Sequence, residues 1–98
     1  MAETQENAYS VQFALYAGKL EKYLRTNGIS CHDADIIIEE SSKYYFEKLS
    51  QGNRLVKLIR KHDAAELFIQ SSARAIQKNL PEAKITFGSS HEIEKCIR

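Results

Sequence analysis

A helix stop followed at once by a helix start, between Asn27 and Asp33, constrains this chain more than any other feature. Asn27-Gly28 suits a helix end, because glycine adopts the left-handed conformation past the last turn without a Cβ penalty. Ser30 then suits an N-cap, with its hydroxyl placed to accept from the backbone N–H of Asp33, and Asp33 placed to reach back. Two long amphipathic segments flank this punctuation. The spacing predicts a first helix from about Ala8 to Thr26, with Tyr9, Phe13, Tyr16, Leu20 and Leu24 on one face at intervals of three and four. Ala17 and Tyr23 widen that face. Gly18 lies inside it, which suits a close helix crossing or a kink.

The second helix carries Ala34, Ile37, Ile38, Ser41, Tyr45 and Leu49 on its inner side, and Glu39, Glu40, Lys43 and Glu47 on its wet side. A short third helix is expected over Arg54–Lys61 and a fourth from about Ala64, with Ala64, Leu67, Phe68, Ser71, Ala75 and Ile76 inward. Pro81 stops that helix. Residues 81–98 read as an irregular tail: Lys84-Ile85-Thr86-Phe87 alternates like a short strand, and Ser89 with Glu92 can cap a last short helix to about Ile97. Residues 1–7 are polar and expected to fray. The fold class is therefore all-α, a compact bundle of three to four main helices with a short C-terminal appendage, in a single domain over 1–98. One proline and four glycines in 98 residues support that reading, since a sandwich or barrel needs more turn residues.

A net charge of +1 conceals an asymmetry. Residues 1–42 hold seven acids and three bases, whereas 43–62 hold six bases and the single acid Glu47. The middle of the chain is thus the place with an electrostatic preference for an anionic partner. Arg54, Lys57, Arg60 and Lys61 form its densest part, and phosphates or an acidic protein surface would suit them. A solvated helix face is the alternative. The run Tyr44-Tyr45-Phe46 beside it reads as core and neighbour-covering residues before it reads as a base-stacking platform.

No catalytic motif is present, so no enzyme activity and no cofactor are expected. The glycines are too scattered for a phosphate loop. Glu39 and Glu40 are consecutive on a helix and diverge by about 100°, which denies them a shared cleft. Cys31, His32, Asp33 and Asp35 gather metal-capable side chains, but neighbours at a helix start point apart, and a metal site would need Cys96 or His91 to fold back onto them. No metal site is expected on that basis. Two cysteines allow one disulfide but make no framework. With no signal peptide and no apolar run near the ~18 residues of a membrane span, a reduced cytoplasmic protein without membrane contact is the simplest expectation.

The segment Tyr23-Leu24-Arg25, then Gly28-Ile29-Ser30, then Asp33-Ala34-Asp35-Ile36-Ile37-Ile38-Glu39-Glu40 resembles region 2 of bacterial RNA polymerase sigma factors of the extracytoplasmic-function group. Leu67-Phe68-Ile69-Gln70-Ser71-Ser72-Ala73-Arg74-Ala75-Ile76 is similar to a later helix of that family at a comparable separation. The likeness runs from about Phe13 to Leu80. Ile36 stands where the family has an acid, Glu39 where it has glutamine, and Ser42 where it has a core aromatic. The resemblance implies a helical module that docks on the polymerase core through Asp35, Glu39 and Glu40, with Arg74 and the basic residues Arg54, Lys57, Arg60 and Lys61 toward promoter DNA. The alternative is a stand-alone helical protein-interaction or homodimerising protein with no nucleic-acid role, its contact made through the Gly18 face.

Overall fold

The computed structural model describes residues 3–51, 64–82 and 87–98, with the side chains of the first stretch described over 8–50. Among them are four α-helices and no strand: α1 (Glu3–Thr26), α2 (Cys31–Gln51), α3 (Ala64–Asn79) and α4 (Ser90–Ile97). The expected short helix over Arg54–Lys61 and most of the expected extended stretch at Lys84–Thr86 lie outside the described residues. The all-α bundle stands. Its radius of gyration, 13.3 Å, matches the ~13 Å of a single globule of about 100 residues.

The turn between α1 and α2 forms as its residues dictate. Gly28 has φ +87°. Its N–H donates to the Arg25 carbonyl, and the Ile29 N–H reaches back to Leu24, each at 3.0 Å. These two bonds satisfy carbonyls that the helix end would otherwise leave open. Ile29 packs against the core beside them. Asp33 N–H then donates to Ser30 Oγ at 3.1 Å, capping α2. At its other end α1 starts at Glu3 rather than near Ala8. Glu3, Gln5, Glu6 and Ala8 are good helix formers, and acids suit a helix start, so propensity carries the helix upstream of its first apolar residue.

Contacts fix the directions. Tyr9 and Phe13 meet Tyr45, while Glu21 lies near Cys31 and Asp35, so α1 and α2 run antiparallel. Glu40 meets Lys78 and Tyr44 meets Arg74, so α2 and α3 also run antiparallel. Phe13, Leu20 and Leu24 of α1, with Ala34, Ile37 and Tyr45 of α2, are buried as their periodicity predicts. The inner face of α3 is wider than expected. Ala65, Ile69 and Ser72 join Leu67, Phe68, Ser71, Ala75 and Ile76 inside, while Ala64 is only half-buried. This breadth follows from position: α3 packs against all three other helices.

The C-terminal segment is part of the core. Ser89 caps α4 by accepting from Glu92 N–H at 3.2 Å, as its sequence predicts. Ile93 and Ile97 are then fully sequestered, at 0% and 2% exposure. Lys19 Nζ donates to the Ile97 carbonyl at 3.2 Å, a cation at a helix C-terminus. The Cys96 thiol lies 3.5 Å from the Lys19 carbonyl, and Tyr23 Oη donates to the Phe87 carbonyl at 3.2 Å.

Candidate functional site

Asp35 and Glu39, one turn apart on α2, are exposed. Neither makes a hydrogen bond or ion pair with another described residue. Asp35 is fixed in place because Ala34 and Ile37, on either side of it, are fully buried.

Glu40 behaves differently. The periodicity puts it on the wet side, but its side chain is only 20% exposed and both oxygens are occupied. Lys78 Nζ donates to Oε2 at 3.1 Å and Asn79 Nδ2 to Oε1 at 2.8 Å. The hydrogen bond from Asn79, then that from Lys78, holds the Glu40 carboxyl below the usual range, and Glu40 in turn raises Lys78. Glu40 therefore joins α2 to α3 and is not presented outward beside Asp35 and Glu39. No property of its own helix signals this, because the partners lie 38 and 39 residues away.

Arg74 is exposed, but its guanidinium lies over the Tyr44 ring, 4.2 Å from the centroid. Tyr44 is thereby covered on that face, Tyr45 is core, and Phe46 leans on Phe13 and Tyr45. The aromatic run serves packing, as its position on the helix suggests. A cleft of about 160 Å³ opens beside the stacked pair, bordered by Glu47, Lys48, Gln70 and Ser71. Arg54, Lys57, Arg60 and Lys61 lie outside the described residues.

The outer side of α1 presents Val11 and Leu15, each 57% exposed. Gly18 shares this face, and a Cβ built on it meets no atom within 4 Å. It is therefore not at a close helix crossing within the bundle. Neither Val11 nor Leu15 stands out in the sequence, because the aromatic stripe on the opposite side of α1 dominates the periodicity.

Cys31 is exposed and Cys96 half-buried, and both are free thiols. Burial raises the Cys96 pKa, only partly offset by the charge of Lys19. The Cys31 and Asp35 side chains do find a third potential ligand, but it is Glu21 of α1 and not Cys96 or His91. No helix among the described residues is long and apolar enough to cross a membrane. Compared with known proteins, the chain matches no family model, no curated protein and no solved structure.

Proposed function

We propose that this chain is a non-enzymatic, cytoplasmic helical binding module that resembles region 2 of a sigma factor and docks on RNA polymerase through the outer side of α2. The carrying observation is that Asp35 and Glu39 stand exposed one turn apart, their side chains without a hydrogen-bond or ion-pair partner among the described residues, on a helix whose opposite side is anchored in the core. Acids in such a register suit a basic groove between partner helices. Glu40 is withdrawn from the docking set because Lys78 and Asn79 already hold it. Promoter DNA is the second partner in this reading, met by Arg54, Lys57, Arg60 and Lys61, with Arg74 contributing only if it leaves Tyr44. The excess of bases over residues 43–62 supports an anionic partner. The free thiols suit a reducing compartment.

The test is capture of purified bacterial core polymerase by the chain and by Asp35→Lys/Glu39→Lys. Capture by the parent and its loss in the double variant is the expected result. A chain that captures no polymerase, or a double variant that captures it equally, rejects the assignment. Glu40 is left unaltered so that loss of binding is not confused with a broken α2–α3 contact.

The exposed Val11–Leu15–Gly18 face favours a second reading, self-association through α1. Sedimentation equilibrium separates the two: a dimer abolished by Leu15→Glu supports self-association, and a monomer at all concentrations removes it.

A further inference from the structure

We propose that Glu21, Cys31 and Asp35 form a Zn²⁺ site at the corner between α1 and α2. One ligand atom from each lies within 4.8 Å of the other two. Cys31 and Asp35 are four residues apart on α2, the helical spacing that turns two ligands toward one side. Glu21 comes from the facing turn of α1. Among the described residues the three side chains make no hydrogen bond or ion pair, so no contact within that set has to break when a metal enters.

The backbone around them is fixed before any metal arrives. The Gly28 turn, the Ile29–Leu24 bond and the Ser30 cap set the distance between the end of α1 and the start of α2. Such support is what a metal site requires of its scaffold. Zinc bound by sulfur at ~2.3 Å and oxygen at ~2.0–2.2 Å needs donors about 3.5 Å apart. The exposed Cys31 and Asp35 side chains can close the remaining gap of about an ångström by rotation.

The donor chemistry selects the ion. Calcium and magnesium require six or more oxygen ligands, and a thiolate is a poor one for either. One thiolate with two carboxylates suits zinc, leaving a fourth position to solvent. The loaded site carries a net charge of −1, which the N-terminus of α2 accommodates. This inference shares Asp35 with the polymerase reading but does not rest on it: metal binding is read on the chain alone through Cys31 and Glu21, which take no part in the docking face.

The experiment is titration of the reduced 98-residue chain with Co²⁺, then displacement by Zn²⁺. The expected result is one equivalent bound with a thiolate-to-cobalt charge-transfer band. Cys31→Ser should abolish the band, while Cys96→Ser and His91→Ala leave it. Glu21→Gln and Asp35→Asn should each weaken Zn²⁺ binding by about tenfold or more, since losing a ligand costs at least as much as losing an outer-shell partner. All five side chains are at least partly exposed, and circular dichroism checks that each variant keeps its helices. Absence of the band in the parent, its survival in Cys31→Ser, or affinity unchanged in both carboxylate variants overturns the site.

Discussion

Tyr45 Oη donates to the Tyr9 carbonyl at 2.9 Å, a bond made by a side chain with no exposed surface. It joins the middle of α2 to the first half of α1 across 36 residues of chain. The ring also meets Phe13 in a tilted arrangement, 5.0 Å between centroids. Tyr45→Phe keeps the ring and removes the donor, and the Tyr9 carbonyl retains its place in the α1 ladder. Denaturant titration should show a loss of about 0.5–1.5 kcal/mol. Burial, then the neighbouring Tyr9 and Tyr16, raises the Tyr45 pKa far above its ordinary value. The folded state therefore holds this proton more tightly than the unfolded chain. Tyr45 contributes fully below pH ~10 and its contribution falls as pH rises further, so the alkaline loss of stability should be smaller in Tyr45→Phe.

The buried face of α4 makes the C-terminal segment essential to the bundle. Ile93 is fully buried, and α4 packs on both α1 and α3. Ile93→Ala should cost about 2–5 kcal/mol, the range for Leu20→Ala and Ile37→Ala in the same core. An appendage would lose far less, so a change under 1 kcal/mol in urea unfolding would falsify this placement.

What the residues disclose locally and what they do not divide along physical lines. The Gly28 turn, the Ser30 and Ser89 caps and the inner faces of α1 and α2 depend on neighbours within one or two turns, and each is readable in the sequence. Ile93, Cys96 and Ile97 are the only apolar residues in an eight-residue helix, too few to announce a core element without the α1–α3 groove that receives them. The same limit governs the surface. Exposure of Asp35 and Glu39 follows from helix phase, whereas the capture of Glu40 by Lys78 and the approach of Glu21 to Cys31 depend on interhelical packing that no local pattern encodes.

Ser41 and Ser72 are buried with no hydrogen-bond partner for either hydroxyl oxygen among the described residues. They lie on α2 and α3, the most extensively packed pair in the bundle. A small side chain is needed in such a seam, but the hydroxyl is not. Removing an unsatisfied buried polar atom recovers desolvation energy. Ser41→Ala and Ser72→Ala should each raise stability by about 1 kcal/mol, read as a higher denaturation midpoint. Destabilisation of both would mean that each oxygen has a partner.

Gly18 and Gly28 should respond oppositely to the same substitution. A Cβ at either meets nothing within 4 Å, so sterics do not separate them. The backbone does. Gly18 sits mid-helix, where alanine is favoured over glycine by about 0.5–1 kcal/mol. Gly28 has φ +87°, where a Cβ crowds the chain at a cost of about 1–2 kcal/mol. Thermal unfolding should therefore place Gly18→Ala above the parent and Gly28→Ala below it, with Gly28→Val lower still because a β-branched residue resists positive φ.

The Glu40 contact gives an acid-side signature. Asn79 and Lys78 hold the Glu40 carboxyl below its ordinary pKa, so the folded state binds this proton less readily than the unfolded chain. The stabilisation is present above the unfolded pKa, near 4.3, and is lost as pH falls through the depressed folded value. Lys78 is largely exposed, so solvent and salt screen the pair and the effect is small at high ionic strength. Glu40→Gln should unfold more easily than the parent at pH 7 in low salt, with the difference shrinking as pH falls below the carboxylate range. A parent–variant gap that stays constant from pH 7 to pH 2 would show that Glu40 acts through packing and not through its charge.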